Sequence, residues 1–464
     1  MQDSESILEE ANGDINIKTG GKTMPQNNYV LRRKFSQRAF GKLDKGSVRG
    51  SIFALSATAI GSGVLSLPYV LGLNGWVLGL CFLLIGGFAA AWSLFIITES
   101  AIKANVKNLS MLSKIVGGKK LERFLQINLL VYLCGCCISY QIIVSSLIAR
   151  FLKKCGVSPE DNYGFYDTWQ YRVMQGVPTA AIVLFPLSMI KDMSGFRHIS
   201  IFSIFALIYT GIVLLCELPE YIKAYRDLPE VKIQYACFDW NFFTGASITF
   251  FAYNCHVQIL PIYSELVNPN ERRIKKIAAR SIFIDALFYV TVALAGYFST
   301  YNKTPKIVLD RSIPGDDTPD PFTMVAQLGI VMVLFLGVPM NYNPFRNQVF
   351  YVFFGRDSYS QKENIVCTSI FIAVTCFLAI VFPDVSSVLG ILGGLNATSI
   401  QFLVPMICSI KVSGQPVKAP RNIIKILFFG FLCLVGYTNV GTTMYRIFSG
   451  NDVIGRGPDN LCMV

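Results

Sequence analysis

The chain has 464 residues and a formal net charge of +12, yet 53% of its residues are hydrophobic and only 15% are charged. A soluble protein of this size needs more polar surface, so the composition points to a bilayer, whose hydrocarbon takes about 20 mostly apolar residues per helix. No weak alternating pattern of a barrel is present; the class is an all-α polytopic membrane protein, and the positive charge reads as an orientation signal rather than as affinity for nucleic acid.

Residues 1–46 differ in kind from the rest. They are acidic at first (Asp3, Glu5, Glu9, Glu10, Asp14) and then basic (Arg32, Arg33, Lys34, Arg38, Lys42, Lys45), the pattern of a mostly disordered cytoplasmic tail. No apolar run precedes the first span, which is therefore expected to direct insertion itself. Between Arg49 and Glu99 no residue is charged, and the Leu71–Gly75 stretch supplies a turn, so two helices in a tight hairpin are expected. Further spans fall near 125–149, 173–190, 199–217, 241–263, 281–301, 322–342, 365–383, 385–410 and 423–447. That makes eleven within a membrane domain over 47–448, followed by a short non-cytoplasmic tail over 449–464.

Orientation follows from the positive charges, because cytoplasmic loops carry the excess of Lys and Arg. With the N-terminus inside, alternate loops divide these residues into 28 inside and 12 outside, and the outward loops are acidic, as at Asp310 and Asp320. The C-terminus is then exterior or lumenal. Either the plasma membrane or a vacuolar or lysosomal membrane suits this arrangement. The acceptor sequence Asn302-Lys303-Thr304 falls outside and is a candidate for glycosylation, whereas Asn108-Leu109-Ser110 falls inside.

Two spans carry interruptions. In the first, Gly61, Ser62 and Gly63 are followed by Pro68, which predicts an unwound stretch in mid-helix. Freed backbone groups cannot face lipid, so the unwinding implies either a cavity or close packing by small residues. A half-helix N-terminus there would suit a carboxylate. In the sixth span Tyr253, Asn254, Cys255, His256 and Gln258 put polar groups where they are costly unless they line a polar site. Interruptions in spans one and six occupy corresponding positions in two inverted halves of five helices, as in broken-helix transporters.

Asp285 stands well inside the seventh span and is a functional candidate on that ground, or else an interface residue near Arg280. The two histidines, His198 and His256, are far apart in sequence, and no metal-ligand spacing, phosphate-binding loop or zinc-protease motif is present. The chain is accordingly not expected to be an enzyme or to carry a metal or cofactor. A transporter and an amino-acid sensor signalling through its N-terminal tail remain the two readings.

The run Ala59–Leu65 followed by Pro68, together with Cys255-His256 and Leu260–Leu266, resembles the amino acid/auxin permease family. The likeness is greatest to its sodium-coupled neutral amino acid transporter branch and related vacuolar exporters, and it runs from about Ser47 to Phe448. The resemblance implies a LeuT-type fold of five plus five inverted helices with an eleventh appended, and transport of an amino acid, a small neutral one. It implies that the backbone at Gly61, Ser62 and Gly63 receives the substrate carboxylate, while carbonyls near Ala57 and Thr58 and around Phe250 to Tyr253 receive the ammonium. Tyr253 and Asn254 would shape the side-chain pocket, and His256 would stabilise the break or gate it. Cys155 and Cys237 lie in the two large outward loops, and the resemblance implies that they pair as a disulfide, with Cys462 as the competitor.

In the sodium-coupled relatives an Asn stands four residues before the first glycine of the span-one motif, and a Thr two residues before the span-eight proline. Here those positions are Ala57 and Gly337. Neither offers a side-chain oxygen to a hard cation, which needs several; Thr58, Asn341 and Asn343 are the residues from which a displaced site could be rebuilt. Proton coupling, exchange or facilitated diffusion then become the favoured modes, and for protons the groups to test are His256 and Asp285.

Overall fold

The structure, a computed structural model, describes residues 46–156, 165–190, 197–226, 228–315, 320–356 and 358–449. The described residues are helical and connecting segments, with no strand among them. In chain order the helices are α1 (Val48–Ala59), α2 (Leu67–Asn74), α3 (Trp76–Lys103), α4 (Leu109–Lys154), α5 (Trp169–Met189), α6 (Arg197–Arg226) and α7 (Asn241–Ala252). There follow α8 (Ile259–Glu265), α9 (Glu271–Thr300), α10 (Pro321–Phe354), α11 (Gln361–Val381), α12 (Val385–Val412) and α13 (Pro420–Ser449).

Among the described residues nine helices are long and apolar enough to cross a membrane, and α1 with the segment Ser62–Asn74 forms a tenth crossing bent by 49°. The pair α7 and α8, separated by Tyr253–Cys255 and a single turn at His256–Gln258, stands where the sixth span was expected. Both interruptions of the sequence are therefore interruptions of the fold.

Apolar side chains look outward, as Phe88, Phe205, Phe283, Leu287 and Leu427 do, and also fill the interior, where they are joined by many buried polar residues. An apolar exterior follows from having hydrocarbon as the solvent. Inside, amide side chains tie helices together. Asn439 of α13 accepts from Thr244 of α7 at 2.9 Å and donates to the Gly390 carbonyl of α12 at 2.9 Å. Asn396 of α12 donates to the Asn128 carbonyl of α4 at 2.9 Å.

Helix boundaries differ from the sequence reading where charge was taken to mean loop. α4 starts at Leu109, well before the expected 125, and bends at Gly118 (φ 69°). Lys114, Lys119, Lys120 and Arg123 ride on that helix. α9 likewise starts at Glu271, capped by Asn270, so the basic run Arg272–Lys276 is helical too. An amphipathic helix continues past the apolar segment as readily as a loop does, and hydropathy reports only the apolar part. The hairpin turn falls at Gly75, whose φ of 80° and close approach to Tyr235 require a glycine. There the segment around Gln234 and Tyr235 accepts from the first N–H groups of α3, at Trp76 (3.0 Å) and Val77 (3.0 Å).

Candidate functional site

α1 ends at Ala59 because Ile60, with ψ near 91°, leaves the helical region. The chain re-enters through a short 3-10 segment, Ser62–Ser66, and Pro68 then sits in the first turn of α2, where its missing N–H costs nothing. At the second break α7 ends at Ala252, and Tyr253, Asn254 and Cys255 are not helical. The two breaks touch. A Cβ placed on Gly63 would stand 3.1 Å from Ala252 Cα and 3.1 Å from Phe251 Cδ1.

Two helix C-termini thus converge, each carrying about half a negative charge. Their last carbonyls, Ala59 O and Ala252 O, both lie against the hydroxyl of Tyr289 from α9, at 2.8 and 2.7 Å. The backbone at Ser62 and Gly63 opens the second half-helix, with no side chain capping its first N–H groups. A seat with carbonyls at one end and N–H groups at the other fits the ammonium and carboxylate of one amino acid.

Side chains around the crossing carry an unusual number of buried polar atoms without partners. Both amide atoms of Asn254, both ring nitrogens of His256, both carboxylate oxygens of Asp285, and the hydroxyls of Ser62, Ser66 and Tyr253 are in this state. Each such group costs about 1–3 kcal/mol relative to a satisfied one. Other such atoms lie at helix interfaces, as at Asn128, Gln327, Asn396 and Gln401, but Ser62, Tyr253, Asn254 and His256 bring several of them to the two touching breaks.

The residues assigned from the sequence distribute as follows. Gly61, Ser62 and Gly63 stand at the crossing. Ala57 and Thr58 do not present the converging carbonyl, which belongs to Ala59; the Thr58 hydroxyl donates to Ala54 O at 2.8 Å. The Phe250 carbonyl is not free for an ammonium, because Gln401 of α12 donates to it at 2.6 Å. Tyr253 does not line a side-chain pocket in this conformation; its ring lies over Gly86 and Gly87 of α3 and packs at 5.0 Å against Tyr289. Asn254 is buried at the break beside Tyr132. His256 is buried beside Ala90 of α3, and neither ring nitrogen has a hydrogen-bond partner. At Gly337 the space for a side chain is already filled, since a Cβ there would stand 2.8 Å from the Tyr140 ring. Asn341 spends its amide on the Gly337 carbonyl at 3.0 Å, and the Asn343 amide lies 3.3 Å from Ile190 O.

The expected Cys155–Cys237 pair is not formed. Cys155 is a free, exposed thiol at the C-terminal cap of α4, whereas Cys237 is buried and anchored beside the α2–α3 turn by its N–H to Asn74 O at 2.8 Å. The competitor Cys462 lies outside the described residues. Asn302, the candidate acceptor, uses its side chain to bridge the segment 230–232, accepting from Lys232 N at 3.0 Å and donating to Glu230 O at 3.2 Å.

Four residues central to the crossing were not singled out from the sequence: Tyr132 and Tyr140 of α4, Phe251 of α7 and Tyr289 of α9. Tyr132 packs at 5.9 Å against Phe251, and the Tyr140 hydroxyl is the nearest group to Gly61. A signal existed, since Tyr132 and Tyr140 are eight residues apart on one helical face with Gly135, Cys136 and Ser139 between them.

Over the crossing, on the side where α2, α7 and α10 begin or end, the segment after α9 forms a seal. Val308 and Leu309 are buried, Val308 against Pro68 and Gly296. Leu309 O accepts from Gln327 at 2.9 Å, and Asp310 accepts from Ser146 at 2.6 Å and through its carbonyl from Arg150. Arg311, buried, pairs with Glu217 of α6 at 2.5 Å and lies 4.2 Å over the Tyr221 ring. Lys306 pairs with Asp384 at 2.6 Å. Burial opposes the charge of Asp384, but the Lys306 ammonium and the hydroxyls of Ser386 and Ser387 hold its carboxyl below the usual value.

Comparison with known proteins agrees with this geometry. A crystal structure of MhsT in complex with L-phenylalanine has the same fold, with a TM-score of 0.54 at 14% identity over 84% of this chain and 98% of that one. The architecture is thus that of the LeuT-type transporters. The putative amino acid transporter AAT1 of Toxoplasma gondii is 25% identical over 314 residues, which is 68% of this chain; the match spans about two-fifths (41%) of that relative's length. The family model described as transmembrane amino acid transporter protein matches residues 44–445, nearly the whole helical domain. The chain belongs to the transmembrane amino acid transporter family.

Proposed function

We propose that the protein is a secondary transporter that carries amino acids, small neutral ones, across a membrane by alternating access, independently of sodium and with protons as the coupling ion. The observation that carries this reading is the convergence of the Ala59 and Ala252 carbonyls on the Tyr289 hydroxyl where Gly63 packs against Ala252, with the unpartnered side chains of Ser62, Tyr253 and Asn254 on the same two breaks. Tyr132, Tyr140 and Phe251 crowd the crossing and favour a small side chain. Against sodium stand the Ala57 and Gly337 positions, which carry no side-chain oxygen, the latter filled by Tyr140.

Uptake by the full chain in proteoliposomes, from an amino-acid panel, tests the reading. Exchange of external sodium for an inert organic cation at constant pH should leave uptake unchanged. A collapse of uptake would reverse the assignment of sodium independence, and absence of uptake for every amino acid would reverse the assignment of transport.

A further inference from the structure

Asp285 is the most isolated charged group in the described structure. It lies at mid-length on α9, is 0% exposed, and neither carboxylate oxygen has a hydrogen-bond partner. From α1 it faces the Ser56 hydroxyl, from the second break Tyr253 and Cys255, and from its own helix Tyr289. None of these is cationic, and no charged side chain of any other packed element among the described residues acts on it. An isolated carboxylate in a dry interior is stable only with a cation or a proton upon it.

The surroundings choose between the two. Ser56 and Ser281 spend their hydroxyl protons on main-chain carbonyls, Ser56 on Ser281 O at 3.4 Å and Ser281 on Ile52 O at 3.1 Å. A hard metal cation needs several more oxygens than this, whereas a proton needs one lone pair. The same two serines clip α1 to α9 on the side of Asp285 away from the crossing. Opening that clip would bring water to the carboxylate.

Tyr289 connects this group to the substrate seat. It follows Asp285 by one helical turn on the same face of α9, and its hydroxyl rests on the two carbonyls that an ammonium would take. A substrate ammonium at those carbonyls would compete with that hydroxyl for their lone pairs, and so act on the residue one turn from Asp285. We infer that Asp285 is the proton-binding site of the transport cycle, coupled to the ammonium seat through Tyr289. This rests on the transport reading above and adds a stoichiometry to it. One proton passes from water on one side to a carboxylate oxygen of Asp285 and leaves that oxygen for water on the other side. Carried with a zwitterionic amino acid, it moves one net positive charge per cycle.

The test separates coupling from transport. In proteoliposomes the wild-type chain should accumulate substrate when a pH gradient is imposed, with an inward current. It should also exchange labelled external for unlabelled internal substrate without a gradient. Asp285→Asn should lose both the gradient response and the current, whatever exchange it retains, and Asp285→Glu should restore them in part. If the wild type exchanges but gives no pH-driven accumulation, or if Asp285→Asn still follows the gradient, the inference fails while the transport reading stands. If the wild type does not exchange at all, the transport reading itself fails. Should Asp285→Asn not fold, proton uptake on substrate binding by the purified wild type, read with a pH dye in weak buffer, decides: no uptake overturns the assignment.

Discussion

Gly63 shows how much of the site rests on the absence of a side chain. Neither Gly61 nor Gly63 adopts a positive φ, so conformational freedom is not what requires a glycine there. The requirement at Gly63 is contact, since a Cβ would press on Ala252 Cα and the Phe251 ring at 3.1 Å each. Gly63→Val should therefore force the two breaks apart, at an overpacking cost of about 1–3 kcal/mol, and abolish uptake while leaving the protein inserted. Gly61, with only the Tyr140 hydroxyl within 4.0 Å, should tolerate Ala with a smaller loss. Initial uptake rates normalised to protein in the membrane check both, and equal loss in Gly61→Ala and Gly63→Val would show that backbone conformation decides after all.

Among the elements, the segment 301–313 does the most with the fewest residues. It places apolar Val308 and Leu309 over the first break and fixes them through charged side chains drawn from α4, α6 and α12. On the alternating-access reading proposed above, this packing has to lift for access from that side. Arg311→Ala removes a buried cation and leaves half-buried Glu217 with Thr323, a loss smaller than the roughly 3–5 kcal/mol of a fully buried pair, and should favour the conformation open on that side. Faster labelling of a cysteine placed at Ser62 by a membrane-impermeant thiol reagent, in a background freed of exposed cysteines, would report the opening; unchanged labelling would mean that the seal is held elsewhere. The Lys306–Asp384 pair has its own pH window. Because the folded carboxyl is held below its unfolded value of about 3.9, the stabilisation is fully present above that value and is lost only as pH falls through the lowered one. Any change in transport between pH 5 and 8 therefore belongs to some other group.

For the molecule as a whole, the class, the approximate spans and the position of both interruptions were legible in the sequence, because each leaves a local mark. Apolar runs mark the spans, the glycines and Pro68 mark the first break, and Asn254 and His256 in mid-membrane mark the second. Contacts between distant segments leave no such mark. That Gln401 would take the Phe250 carbonyl, or that Tyr289 would lie across both breaks, depends on how α12 and α9 pack, and these pairs are more than 30 residues apart. The cysteine pairing failed for the same reason, since sharing one side of a membrane does not bring two loops together. The sidedness inferred from charge is open to a direct check: acceptor sites introduced by scanning should be glycosylated in the segments after α4 and α9 and not at Asn108. Modification at Asn108 would invert the topology. Asn302 itself, held by Glu230 and Lys232, is a poor reporter.

The hydroxyl of Tyr289 also bears on what the carrier does when it has nothing to carry. An empty seat with two exposed carbonyls would resist closing, and a carrier that cannot close empty is confined to swapping one substrate for another. Here a phenol of the protein sits where the ammonium would sit, with one proton for two acceptors. The empty form is thereby able to reset, though less well satisfied than the loaded one. Net flux should be permitted, and preloading the far side with substrate should accelerate it. Tyr289→Phe removes the stand-in: one-way uptake should drop severalfold while exchange persists, turning a carrier into an exchanger.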